Sequence, residues 1–148
     1  MRWRYISHIL GILILFLGLT MILPLLVGFT YGDRSVLPLL KSMGITLLVG
    51  GVLTLVFRRE QAEVISQRES MAIVTFGWVA VGVLGALPFY LSGEFGSFTD
   101  AFFESMSGFT TTGASILTNI EAVSNGLLFW RSFIQWLGGM GIIVLSLA

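Results

Sequence analysis

Apolar residues run with few interruptions from Tyr5 to about Phe29, from about Leu39 to Phe57, from Met71 to Leu91, and from Leu127 to Ala148. None of these runs shows the two-residue alternation of a half-buried strand. Each has the roughly 20 residues that carry an α-helix across a bilayer. At 1.5 Å per residue the first run reaches about 37 Å, enough to span with tilt. Pro24 is expected to kink it near its far end. "TYGDRSVLP", Thr30 to Pro38, is dense in helix breakers and predicts a polar turn. "RREQAEVISQRES", Arg58 to Ser70, stops the second run, and Pro88 lies near the end of the third. The pattern predicts an all-α integral membrane protein. Two N-terminal transmembrane helices with their loop fill residues 1–70, and a helix–re-entrant loop–helix unit fills 71–148.

Composition sharpens the class. The chain has 148 residues, of which 55% are hydrophobic and only 11% charged, where soluble domains are nearer a quarter charged. Its mean hydropathy is +0.94. It has no cysteine, which excludes disulfides and thiolate metal sites. The net charge of zero gives no reason to expect nucleic acid as a partner. Arg2 and Arg4 precede an apolar stretch too long for a signal peptide and without a small-residue cleavage site, so it reads as a retained anchor. There is no HExxH, no GxxxxGK[ST], and no pair of acids at membrane depth, so the chain is not read as an enzyme and no covalent cofactor is expected.

Basic residues in short loops set orientation. Arg2, Arg4, Arg58, Arg59 and Arg68 fall on one side, and Arg34, Lys41 and Arg131 on the other. The first side, with the N-terminus, is expected to be cytoplasmic. The outer side then carries Asp33, Glu94, Asp100, Glu104 and Glu121, a net acidic mouth. Two readings stand side by side: ordinary solvated loop charges, or a mouth that concentrates cations.

The connection from Ser92 to Gly126 must leave and return on the outer face. Within it "SFTDAFFESMSG", Ser97 to Gly108, reads as a short helix over 98–108. Ser97 caps it, with Asp100 in the capping-box position, and Gly108 is placed to end it. Phe98, Phe102 and Met106 form an apolar stripe that Phe103 widens. A helix this short cannot span and is too apolar to lie free in water, so it reads as a re-entrant half-helix. Thr110, Thr111, Thr112, Gly113 and Ala114 follow it. Non-helical backbone at membrane depth must pack in protein or line a water-filled cavity. An extended Thr-Thr-Thr-Gly would present a column of carbonyl oxygens able to replace the hydration shell of a monovalent cation. Gly113 allows backbone angles that a Cβ obstructs. The alternative is a Thr-rich outer loop; the succession of span, capped short helix, TTTG and span favours the filter.

"FFESMSGFTTTGAS" (Phe102 to Ser115) followed by "GLLFWRSFIQWLGGMGI" (Gly126 to Ile142) resembles the first pore repeat of the Trk-type potassium uptake subunits of the TrkH/TrkG kind, in the Trk/Ktr/HKT superfamily. The resemblance runs from about the third span onward, and the two preceding spans fit the extra N-terminal helix pair of Trk proteins. It implies a bacterial cytoplasmic-membrane, multi-pass protein of four helix–pore loop–helix repeats around one filter. It also implies potassium as the transported ion, a TrkA-like cytoplasmic nucleotide-binding partner, surrounding membrane lipid, and possible homodimerisation. On this reading Thr110 to Ala114 form one filter strand, with Thr111 and Thr112 contacting the ion and Gly113 as the selectivity glycine. This chain carries one repeat. It is expected to be part of a longer protein whose last helix is truncated here; the alternatives are a homotetrameric cation channel or a non-conducting membrane module.

The remaining residues carry plainer expectations. Arg131 either snorkels or pairs with Glu104 or Glu121 to brace the pore loop. Glu104 either bonds the loop behind the filter or sits solvated at the mouth. The glycines of "WLGGMG" are expected to serve close helix packing, with a hinge or gating role as the alternative, and Gly11, Gly18, Gly44, Gly50, Gly51, Gly77, Gly82 and Gly85 are expected to serve packing too. Trp3, Tyr5 and Trp130 fit interfacial belts, and His8 is read as interfacial.

Overall fold

The computed structural model describes residues 2–57 and 66–147, with side chains up to 141. Among the described residues every regular element is helical. The first apolar run forms α1 (Trp3–Thr20) and α2 (Ile22–Tyr31), broken at Met21. Pro24 has no N–H to give the Thr20 carbonyl, which accounts for a break one turn before it. The break redirects the chain: α1 packs on α3 (Val36–Val56) and α4 (Gln67–Ser92), whereas α2 packs on α6 (Asn125–Leu147).

The turn between α2 and α3 is shorter than the breakers predict. It occupies only Gly32 to Ser35, with Gly32 at φ +61°. Pro38 lies in the first turn of α3, where a missing N–H goes unfelt. α1 and α3 meet backbone to backbone. A Cβ on Gly11 would lie 2.8 Å from the Thr54 nitrogen, and one on Gly50 would lie 2.7 Å from the Leu15 nitrogen. The packing expectation fails for Gly44, Gly51 and Gly141, which have nothing within 4 Å. They stand on faces this chain leaves uncovered, so close approach does not explain them.

α4 starts before the apolar run does because Ser66 and Glu69 form a capping box. Glu69 also accepts from the Arg2 guanidinium at 2.8 Å, which sets the starts of α1 and α4 at one end of the bundle. At the opposite end Asp33 meets Gly126 and Glu94 meets Ser124. Arg58, Arg59, Glu60 and Glu63, and with them most of the loop expected to face a regulatory partner, lie outside the described residues.

Three helical stretches among the described residues are long and apolar enough to cross a membrane: Trp3–Tyr31, Val36–Val56 and Gln67–Ser92. α6 adds 23 residues, about 35 Å. Trp130 on α6 is not an interfacial residue. It is fully buried, and its indole N–H donates to the Gly85 carbonyl of α4 at 3.0 Å. A buried indole needs that acceptor, and the small Gly85 itself leaves room for the Phe109 ring and Ser105. His8 is part-buried beside the Thr54 carbonyl, 3.2 Å away. Trp3 is exposed and packs edge-on against Phe76.

Candidate ion-filter loop and its supports

α5 (Phe98–Phe109, 12 residues) is a half-helix of about 18 Å. Its start is held by the reciprocal Ser97–Asp100 capping box. Asp100 therefore serves the N-terminal end of α5, where it pairs with Ser97, and not the Thr-rich loop at the other end. The two Ser97 bonds hold its carboxyl below the usual carboxylate range, outweighing a small opposing effect of burial.

The predicted apolar stripe of α5 is only partly covered: Phe102 and Met106 pack half-buried on Gly82 of α4. Phe98 and Phe103 are exposed, while Ala101, Glu104, Ser105, Ser107, Gly108 and Phe109 are buried. Close packing between α4 and α6 demands small residues there. A Cβ on Gly108 would lie 2.6 Å from Ile134 Cγ1, and one on Gly82 would lie 3.0 Å from the Phe102 ring. Gly108 thus makes room for α6 rather than ending the helix.

The end comes at Thr110 and Thr111. Thr110 has φ −82° and ψ 0°, and Thr111 has φ +58°, the only described non-glycine residue at positive φ. The loop is consequently not extended throughout: it turns at Thr111, and turns again at Gly113, φ +75°. A β-branched residue in the left-handed region is an outlier held by its surroundings. Here the holding bonds are backbone ones. The N–H groups of Thr110, Thr111, Thr112 and Gly113 donate back to Met106, Gly108, Ser107 and Ser107 at 2.9, 2.9, 3.0 and 3.4 Å. With its donors turned into α5, this segment has four carbonyls, of Thr110 to Gly113, that receive no donor among the described residues. The Thr110 hydroxyl donates to the Met106 carbonyl at 2.7 Å and lies 2.8 Å from that of Thr112. Thr110, Thr112, Gly113 and Ala114 are exposed and Thr111 is half-buried.

Behind the loop, Glu104 is 1% exposed. It accepts from the Arg131 guanidinium, from the Ser115 hydroxyl at 2.9 Å and from the Ile116 N–H at 3.2 Å. Of the pairings open to Arg131, this is the one the fold makes; Glu121 is exposed on the short 3₁₀ turn Ile120–Ala122. The Ser107 hydroxyl donates to the Ala114 carbonyl at 2.5 Å. Gln135 lies where a Cβ on Gly113 would be 3.7 Å from its amide nitrogen. Sequence reasoning missed Ser107, Ser115 and Gln135. No local spacing marks them: the partners of Ser107 and Ser115 lie several residues away, and Gln135 comes to the loop from another helix. Glu94 and Asp33 also leave the solvated-mouth reading, since both accept bonds at the start of α6.

Residues 39–148 match the TrkH family, described as cation transport proteins. The chain is 43% identical, over its full length, to the Trk system potassium uptake protein TrkH of Salmonella typhimurium, of which it covers 31%. It is 37% identical over 99% of its length to the Trk system potassium uptake protein TrkI of Halomonas elongata, covering 30% of that chain. The crystal structure of the potassium transporter TrkH from Vibrio parahaemolyticus superposes with a TM-score of 0.92 at 38% identity, over 99% of this chain and 31% of that one. The chain spans less than a third of the length of these relatives. The family match over most of the chain and the shared helical architecture agree, and the chain belongs to the TrkH family of cation transport proteins.

Proposed function

We propose that this chain supplies one strand of a potassium-selective filter in a Trk-type uptake system of the bacterial cytoplasmic membrane. The observation that carries the reading is the row of carbonyls from Thr110 to Gly113 that no donor meets, at the end of a half-helix whose own N–H groups bond inward. Oxygens so presented can stand in for the water around a dehydrated cation. α5 then enters the membrane from the outer face and returns without crossing it. Its partly negative C-terminal end adds a modest preference for a cation below the filter. Thr111 and Thr112 offer the carbonyls nearest the ion, Gly113 the turn that keeps them aligned, and Glu104 with Arg131 the brace behind.

One strand does not encircle an ion, so the remaining oxygens come from the other repeats of a full-length protein. The basic end of the bundle, with Arg2, Arg4 and Arg68, faces the cytoplasm and a nucleotide-binding regulatory subunit. The test is Gly113→Ser in the intact transporter, read as potassium against sodium uptake in proteoliposomes. The expected result is a fall in the potassium-to-sodium ratio. An unchanged ratio with normal insertion rules the filter reading out.

A further inference from the structure

The outer end of α6 is gripped by two carboxylates from distant parts of the chain. Glu94 accepts from the Ser124 hydroxyl and, at 2.9 Å, from the Ser124 N–H. Asp33, in the α2–α3 turn, accepts the Gly126 N–H on Oδ2 at 3.2 Å, while its Oδ1 takes the Ser35 hydroxyl and, at 3.0 Å, the Ser35 N–H. The contact has no slack. A Cβ on Gly126 would meet Ser35 Oγ, and would lie 3.1 Å from both Leu39 Cδ1 and the Pro24 carbonyl oxygen. Leu127, the next residue, is fully buried.

The same α6 then supports the Thr-rich loop and the end of α5, alongside α4, whose Gly85 packs on Phe109. Arg131, about 7.5 Å further along the axis, holds Glu104. Ile134 packs on Gly108, and Gly138 packs on the Phe109 carbonyl. Functional geometry of this kind tolerates displacements of only about 0.5 Å.

We propose that Asp33 is a positioning residue for the filter: the tip of the N-terminal helix pair latches the start of α6, and through Arg131 sets where the Thr110–Ala114 strand stands. This rests on the filter reading above. It gives the N-terminal pair a part in ion discrimination that its distance in sequence does not reveal.

Two variants of the intact transporter attack the latch from opposite sides. Asp33→Asn keeps the shape but has one acceptor oxygen; with that oxygen on Ser35, the amide NH2 faces the Gly126 N–H. Gly126→Ala keeps the carboxylate and pushes the hairpin away. Each is expected to lower the potassium-to-sodium uptake ratio about tenfold, the scale set by one charge-assisted hydrogen bond. Each is also expected to speed amide exchange over 110–117. A purely structural role for Asp33 would lower thermal stability and leave the ratio as it was. If both variants keep the ratio while Gly113→Ser changes it, the latch is refuted and the filter reading stands. If Gly113→Ser also leaves the ratio unchanged, the filter reading falls, and exchange over 110–117 decides the latch alone: faster exchange in both variants supports it, and unchanged exchange overturns it.

Discussion

Glu104 and Arg131, 27 residues apart in sequence, share a charge-assisted hydrogen bond behind the Thr-rich loop. The carboxylate is buried and the guanidinium mostly so, with side-chain exposures of 1% and 22%. Glu104 is also the acceptor for Ser115 and Ile116. Replacing it by Ala leaves a mostly buried cation without its partner and removes the acceptor of the Ser115 hydroxyl and the Ile116 N–H. Glu104→Ala is expected to cost about 2–4 kcal/mol, read as a lowered thermal midpoint in detergent. Replacing both residues by Leu should recover more than half of that loss, because no uncompensated charge remains. A loss under about 0.5 kcal/mol for the single change would show that the pair is not bracing the loop.

Neighbouring glycines on α6 should respond oppositely to the same change. A Cβ on Gly138 would collide with the Phe109 carbonyl, which belongs to backbone that cannot yield, whereas one on Gly139 meets only Thr111 Cγ2 at 3.8 Å. Gly138→Ala is expected to destabilise by about 2 kcal/mol or more through overpacking. Gly139→Ala should be neutral or gain a few tenths, since Ala is the better helix former. Equal thermal midpoints for the two would contradict the packing described.

Thr111 occupies the left-handed region at φ +58°. That conformation costs a non-glycine residue about 1–2 kcal/mol. Thr111→Gly is therefore expected to stabilise the protein by about 1 kcal/mol while degrading ion discrimination, since the strain is kept by a loop that needs this shape. Thermal unfolding and ion uptake on the same preparation check both halves, and a destabilised variant would contradict the strain.

Asp33 should leave a pH signature. Burial pushes its carboxyl up, but the Ser35 hydroxyl and the backbone N–H groups of Ser35, Gly126 and Asn125 together hold it below its ordinary value. A depressed carboxylate contributes stability above its unfolded pKa, about 3.9, and loses it as the pH falls through the lower folded value. The stability difference between the parent protein and Asp33→Asn should accordingly stay flat from about pH 5 to 8 and shrink only below about pH 4. A difference that already shrinks between pH 7 and 5 would place the titration elsewhere.

Local chemistry was legible wherever partners are close in sequence. The Ser97–Asp100 capping box, the start of α5 and the long apolar helices could all be read from spacing alone. The places where the reading went astray share one cause. Trp130 looks like a belt residue, Gly108 like a helix stop, and Phe98 and Phe103 like parts of a buried stripe. Each assignment depends on which side of a helix meets another helix. An apolar run in a membrane-class chain is hydrophobic all round, so its periodicity does not say which face is lipid and which is bundle.

What the sequence by itself determined is the set of elements: helices of spanning length, one half-helix too short to span, and a Thr-Thr-Thr-Gly end that cannot continue as helix. Hydrophobic length, capping and β-branching act within a few residues, so they are written locally. What only the tertiary structure decided is which polar groups are left without donors and which charges meet. The break at Met21 lets one apolar run serve α3 and α4 with its first part and α6 with its last. That division brings Asp33 to Gly126 across 93 residues of chain. It likewise takes the packing of α5 between α4 and α6 to bury Glu104 against Arg131. Buried polar groups must find partners wherever the fold places them, and those partners are chosen by packing at distances no sequence window contains.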